Sequence, residues 1–490
     1  MSTSGQEPPY SFDQTHSIAE VVALAEAAGG IEPGEGSGQL VSVAGRVMLS
    51  RPQGKIGFAE LRDWTGAVQL FSGAAWTDRF TELSELALGD WIGVTGEVVR
   101  TKRGELSVKV ASWVLLARAR ESFGEKWHGI ADPDLRFRQR EVDLWANEGV
   151  RDAFLLRTRL VSFLRRTLDS KGFVEVETPI LHPIPGGATA KPFVTQYNAL
   201  HADFYLRIAT ELYLKRLVVG GFERVYEIGR TFRNEGLSPR HNPEFTMLEA
   251  YQAYADYTDM MQLFEDLAAG AALELKGTTK LTYQGRPLDF TPPWRRATMV
   301  ELIAEYAGVE VDLEMGPDEL RRVAASVEVD APPGAGPGKI IFELYEEKVE
   351  PNVWDPVFVC DYPQEVSPLA RPHRSKPGWV ERFEPVAVGR ELGNAFSELA
   401  DPDEQRRMFL AQAAERAAGD EEAMVLDDDY LSALMHGLPP TGGLGLGVDR
   451  LAMILNDVSH IREVLLFPAL RPRQQRRGQS AAGETDPADA

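Results

Sequence analysis

Residues 39–118 compress five strand-like runs into about 80 positions, and that density constrains the fold more than any other feature of the chain. Val41-Ser-Val-Ala-Gly-Arg-Val-Met48 alternates apolar and polar positions. Gly57-Phe-Ala-Glu-Leu-Arg62 and Ala67-Val-Gln-Leu-Phe71 flank Asp63-Trp-Thr-Gly66, a turn with its glycine last. A helical break falls near 76–88, and two further runs follow at 91–99 and 105–110. This spacing predicts a small β-barrel of the OB type.

From Val150 the period changes. Phe154, Leu155, Leu160, Val161, Leu164 and Leu168 fall at helical spacing, Lys171-Gly172 stops the helix, and 173–179 reads as a strand ending at proline. Strand signals at 204–208, 224–228, 245–248, 357–360 and 396–399 then alternate with helices to about Pro472. The expected class is α+β, with a mainly antiparallel sheet flanked by helices. The expected division is an N-terminal extension (1–38, ending in a glycine-rich joint), the barrel (39–118), a linker (119–149), a second domain (150–472) with an insertion at about 275–340, and a disordered tail (473–490).

Bulk properties exclude several function classes. No window approaches the roughly 18 consecutive apolar residues of a membrane span, and the first residues lack the basic-then-apolar order of a signal peptide. Cys360 is the single cysteine, which excludes an intrachain disulfide and a cysteine-rich zinc site. Its apolar neighbours mark it as an inert buried thiol, and cytoplasmic residence is expected. A net charge of −22 argues against a nonspecific nucleic-acid binder. The barrel segment, with 10 Lys+Arg against 8 Asp+Glu, is less acidic and compatible with local RNA contact.

No G-x-x-x-x-G-K-[ST] loop occurs, and Thr441-Gly-Gly-Leu-Gly-Leu-Gly447 falls short of a dinucleotide fingerprint. Two readings of it stand: a glycine strand packed closely on the following helix, or Arg450 at that helix start beside a nucleotide. The densest polar stretch is 226–251. As two antiparallel strands joined by a polar loop, it would point Arg233, Glu235, Phe245, Glu249 and Tyr251 into one hollow. Arginine suits phosphate, phenylalanine suits a base, and carboxylate suits an ammonium. Glu381, Glu384, Glu391, Asn394 and Glu398 form an acidic group that reads either as a Mg²⁺ site against a triphosphate or as surface acids.

Three segments, in order, resemble the signatures of class II aminoacyl-tRNA synthetases. Gly172-Phe-Val-Glu-Val-Glu-Thr-Pro179 is similar to motif 1, the dimer-interface motif. Phe232-Arg233-Asn-Glu235-Gly with Arg240-His-Asn-Pro-Glu-Phe245 is similar to motif 2, and Gly443-Leu-Gly-Leu-Gly-Val-Asp-Arg450 to motif 3. The preceding barrel resembles the subgroup for lysine, aspartate and asparagine. The wording of 182–187, 211–216, 240–247 and 394–398 is that of its lysine-specific members, and the likeness spans about 15–472. Thr210, where proline is frequent, together with Ser50, Pro372 and Ala400, departs from the usual wording.

The resemblance implies activation of L-lysine with ATP and transfer to the 3′ end of tRNA(Lys) by a homodimer, with no membrane association. It implies Arg233 and Arg450 as catalytic charge carriers. Glu235, His241, Asn242 and Phe245 would line the ATP pocket with them, and Glu384 and Glu391 would hold Mg²⁺. Gly187, Glu211, Arg233, Glu249, Tyr251, Asn394, Phe396 and Glu398 would form the lysine pocket. Phe58, Gln69 and Glu105 would read the anticodon. The closest alternative is a paralogue that makes lysyl-adenylate for an acceptor other than tRNA. A further one is an RNA-binding barrel carrying a decayed catalytic domain.

Overall fold

The computed structural model describes residues 8–27, 30–121, 129–236 and 238–472. The expected tail at 473–490, the first seven residues and Gly29 of the joint lie outside them. Two compact units emerge: residues up to 136 with 141–147, and 137–140 with 148 onward.

In the first unit, helix α1 (Ile18–Ala27) precedes five strands, β1 (Gly36–Gln53), β2 (Ile56–Arg62), β3 (Ala67–Gly73), β4 (Trp91–Arg100) and β5 (Leu106–Ala117). They close into a barrel in the order β1-β2-β3-β5-β4, with β3 and β5 parallel. This is the OB-type barrel that the spacing predicts, and a short helix, Phe80–Ser84, occupies the expected break. Period two places Val41, Val43, Val47, Val68, Leu70, Ile92, Val94, Val98, Val108 and Val110 inside. The turn at 63–66 is held by Asp63, whose Oδ1 accepts from the amides of Thr65 (2.6 Å) and Gly66 (2.9 Å). Its Oδ2 accepts from the Ile18 amide at 2.9 Å, so the same carboxylate satisfies an unpaired donor at the start of α1.

The second unit is built on a nine-stranded sheet. Helix α2 (Val150–Ser170) leads into β6 (Val174–Glu175), then α3 (Glu211–Val219), β7 (Arg224–Phe232), β8 (Glu244–Ala253) and α4 (Tyr257–Lys276). Next come β9 (Arg295–Thr298), β10 (Val357–Pro363), β11 (Trp379–Ala387), β12 (Arg390–Glu391), β13 (Gly393–Ser397), β14 (Thr441–Gly447) and α5 (Val448–Leu455). The strand order is β9-β10-β11-β13-β14-β8-β7-β6, with β12 paired to β11. Only the two edge pairs, β9 with β10 and β6 with β7, are parallel. Phe154, Leu160, Leu164 and Leu168 of α2 are buried, and Leu160, Leu164 and Leu168 share a core with Leu248, Leu444 and Leu446. Leu155 is exposed.

Two expectations shift. The strand read at 173–179 is only Val174–Glu175, because the Thr178 amide donates to the Glu227 carboxylate (3.0 Å) instead of to a neighbouring strand. Residues 275–340, read as an insertion, supply the edge strand β9. Their helices Met299–Ala307 and Pro317–Ser326 bury Met299, Leu302, Ile303 and Leu320 in the core beside Val357 and Val359. Their strands are four residues long, too short for a period to be read.

Candidate active site

Strand register assembles the site. β7 and β8 are antiparallel, with Thr231 opposite Phe245 and Glu227 opposite Glu249. β8 pairs on its other edge with β14, and β14 with β13. Two rows therefore cross the sheet, Glu249-Gly445-Asn394 and Tyr251-Gly443-Phe396. Glycine at the centre of each row lets neighbouring side chains lie directly over the strand. At Gly443 a Cβ would meet Glu398 Oε1 at 1.9 Å and the Tyr251 ring at 2.6 Å.

At the Phe245 end lies a cavity of about 200 Å³, lined by Arg233, Glu235, Arg240, His241, Asn242, Phe245, Glu391 and Arg450. The Arg233 guanidinium sits 5.3 Å from the Phe245 ring centroid, and its buried Nε has no partner in the protein. Arg450, in the first turn of α5, donates from Nη1 to the Glu391 carbonyl (2.6 Å) and carboxylate (2.9 Å). His241 Nδ1 lies 2.9 Å from Ser238 Oγ, and Nε2 lies 3.4 Å from Arg450 Nη2. Desolvation, then the Arg450 charge, push its imidazole below the usual histidine range. Asn242 is engaged on both sides of its amide, donating to the Glu244 carbonyl (2.6 Å) and accepting from the Ala469 amide (3.1 Å).

The polar stretch thus serves two places. Arg233, Glu235 and Phe245 line the cavity, whereas Glu249 and Tyr251, further along β8, belong to a buried acidic cluster. Glu249 Oε1 accepts from the Thr210 amide at 3.0 Å, and its Oε2 accepts from the Tyr251 hydroxyl at 3.2 Å. Burial pushes its carboxyl up to about 7, against the lowering effect of the Thr210 amide. Glu211 opens α3, and Glu398 immediately follows β13. Both hold the ammonium of Lys215, Glu211 Oε1 at 2.6 Å and Glu398 through Oε2. Glu398 Oε1 is buried with no donor. Gly187 lies against Ala209 and Glu211 at the edge of the cluster.

Between the two places stands Arg382. It donates from Nε to Asn394 Oδ1 (2.9 Å) and from Nη2 to Glu384 Oε1 (2.7 Å). Pairing of β11 with β12 sets Val386 opposite Glu391, which brings Glu384 beside Glu391. Burial, then Glu391, push the Glu384 carboxyl up to about 8. A buried acid raised by a second acid is a place where a bound cation offsets repulsion. Glu381 is spent elsewhere: it pairs with Arg374 and accepts from Ser397 Oγ at 2.7 Å.

Sequence reasoning missed Lys215, Arg382 and Asp449. Helical i,i+4 spacing from Glu211 points to Lys215, and strand alternation with Glu384 points to Arg382. Asp449, buried, accepts from Arg157 (2.7 Å) and from the Thr246 amide (2.8 Å), tying α5 to β8 beneath the cavity. Nothing local to its own segment announces that contact.

In the barrel, Phe58 is half-buried on the outer face rather than in the core. It stacks on Phe71 at 5.2 Å with planes 10° apart. Gln69 accepts from Ser107 Oγ at 2.8 Å, and Glu105 is exposed. All three line a groove of about 890 Å³ that also carries Arg51, Arg100, Lys102, Arg103 and Lys109.

The tRNA synthetases class II (D, K and N) family matches residues 132–471, and the OB-fold nucleic acid binding domain family matches 41–116. A lysine–tRNA ligase of Moorella thermoacetica is 51% identical over 474 residues, 95% of each chain. One of Synechococcus sp. is 50% identical over 491 residues, 98% of this chain and 96% of its own. One of Clostridium perfringens is 48% identical over 481 residues, 97% and 94%.

Proposed function

The chain belongs to the class II tRNA synthetases of the aspartate, lysine and asparagine group, and on that premise we propose that it is a lysine–tRNA ligase. One observation carries the choice of amino acid: Glu211, Glu249 and Glu398 are buried together, and Glu398 Oε1 has no donor. An ammonium is a compact cation with three donors, and it supplies what that oxygen lacks. An aspartate side chain would bring only acceptors there, and an asparagine amide would bring donors without charge, so neither would match the charge of the acids.

The chemistry follows from position and charge. The lysine carboxylate attacks the ATP α-phosphorus in line, the bond to pyrophosphate breaks, and lysyl-adenylate forms. The terminal ribose hydroxyl of the tRNA then attacks the lysyl carbonyl and AMP leaves. Arg233 offers an unpartnered guanidinium N–H where negative charge develops on the α-phosphate. Phe245 provides a face for adenine, His241 is kept neutral beside it, and Glu235 lines the same wall. Arg450, released from Glu391 as nucleotide enters, meets the terminal phosphates. Asn242 shapes the pocket through the backbone it ties. Arg233 also faces the lysine carboxylate, while Asn394 and Phe396 floor the lysine pocket. Positioning of this kind supplies most of the barrier reduction, with no side-chain base required.

Glu384 and Glu391 fit Mg²⁺, which takes one or two carboxylates and completes its shell with phosphate oxygens and water. Bound there, the ion would neutralise triphosphate charge. The barrel groove, with Phe58 for stacking and Gln69 and Glu105 for base edges, is assigned to the tRNA anticodon. Val174, Ile180, Leu181, Val194 and Tyr197 expose apolar surface in and after the segment similar to motif 1, which supports homodimerisation through that face. Among the described residues no helix is long and apolar enough to cross a membrane, and we assign the enzyme to the cytoplasm.

Lysine-dependent ATP–pyrophosphate exchange tests the assignment. Exchange is expected with lysine and absent with aspartate or asparagine. Exchange with either of those instead overturns it. Light scattering that returned the mass of a single chain would overturn the dimer.

A further inference from the structure

A pocket built to receive an ammonium already contains one. Lys215 is fully buried, with Glu211 Oε1 at 2.6 Å from its own helix and Glu398 Oε2 in contact from the sheet. Its Nζ lies 5.4 Å from the Phe396 ring centroid and 5.8 Å from that of Tyr430. Glu249 and Tyr251 of β8 close the cluster from the far side. The nearest other cation, Arg382, is matched by Glu384 at 2.7 Å.

The charges can be counted. Three buried acids, Glu211, Glu249 and Glu398, share one ammonium, Lys215, so with all three ionised two negative charges would be unmatched. Free lysine carries two ammonium groups besides the carboxylate that reacts. We propose that Lys215 is a positioning and specificity-determining residue that cancels one of three buried acids and so matches the pocket to a diammonium amino acid. It touches no substrate. It orients Glu211 and Glu398 and favours their ionised forms against burial, and Glu398 Oε1 stays free to accept.

Electrostatics agree with the geometry. Burial alone would push the Lys215 ammonium down, but Glu211 and Glu398 together raise it well above the usual lysine range, so it stays charged. Burial pushes Glu398 up, and Lys215 is the first influence that opposes it. With Lys215 neutral, three buried acids could not all stay ionised, and one would hold a proton where the substrate needs an acceptor.

This inference rests on the lysine–tRNA ligase reading, and one experiment separates the two. Wild type and Lys215→Gln, a near-isosteric neutral variant, are compared in lysine-dependent ATP–pyrophosphate exchange across pH. Absence of lysine-dependent exchange in the wild type sinks the parent reading. With an active wild type, Lys215→Gln is expected to raise the lysine KM on the order of tenfold or more, with kcat changed less than about threefold. The acid limb of kcat/KM should also move to higher pH, because removing a cation raises neighbouring carboxylates. A folded Lys215→Gln with wild-type KM and pH profile overturns the inference. If that variant does not fold, Lys215→Arg, which keeps the charge, should fold with a near-normal KM. A raised KM in Lys215→Arg, or failure of both variants to fold, also overturns it.

Discussion

Thr210 donates its backbone N–H to Glu249 Oε1 at 3.0 Å, from the position that immediately precedes α3. A proline has no N–H to give. Thr210→Pro, placed just before α3 where a helix tolerates proline, should therefore remove one charge-assisted hydrogen bond from Glu249. Such bonds are worth about 1.5–3 kcal/mol, so the lysine KM should rise roughly tenfold or more. An unchanged KM in exchange assays would show that the bond does not bear on lysine.

Glu249 also makes lysine binding depend on pH. Burial raises its carboxyl to about 7, and the ligand needs it ionised. Protonation at lower pH competes with lysine, so affinity should increase by about tenfold from pH 6 to pH 8. Binding near neutrality should release a fraction of a proton, measurable by titration calorimetry in buffers of different ionisation enthalpy. A flat profile would mean that another acid bears the ammonium.

Arg233→Ala removes the guanidinium whose Nε awaits a partner. A loss of about 10²–10³ or more in kcat for exchange is expected, as when a preorganised donor to developing charge is deleted. The elution volume of the protein should not change, since the Arg233 side chain lines the cavity and is not part of the exposed apolar face. Near-normal exchange would remove Arg233 from the chemistry.

Asp449→Ala should act on stability. It leaves Arg157 without its carboxylate, with only the Thr246 hydroxyl to donate to, and the Thr246 amide without an acceptor. Breaking a buried pair from one side costs about 3–5 kcal/mol. Thermal unfolding checks this, and an unchanged midpoint would show that water replaces the carboxylate.

Phe58→Ala should separate the two halves of the reaction. Stacking on an aromatic is worth about 1–3 kcal/mol per base, so the KM for tRNA should rise while lysine-dependent exchange is untouched. A fall in both would place Phe58 in folding, through its stack on Phe71.

The legibility of the fold tracked the length of its periods. The barrel was readable because Val41, Val43, Val68 and Leu70 alternate over whole strands. α2 was readable because Leu160, Leu164 and Leu168 repeat at helical spacing. β9, with four residues inside 275–340, carries too few alternations to be seen, although it completes the sheet edge. At the site, the residue types within 226–251 pointed to phosphate, base and ammonium, but their division into a cavity and a buried cluster depended on register with β14 and β13. Asp449 escaped because its partners, Arg157 and Thr246, lie on other elements, and the bond of Arg382 to Asn394 likewise crosses to another strand, although Glu384 sits two residues along its own. Lys215 escaped because an internal ammonium reads from sequence as a surface charge.

The central claim is that lysine, ATP and tRNA meet on this chain, and aminoacylation of total tRNA with labelled lysine tests it most directly, run beside lysine-dependent exchange. Both reactions are expected with lysine and neither with aspartate or asparagine. Exchange without any charging of tRNA would contradict it, because the pocket would then be making lysyl-adenylate for a different acceptor.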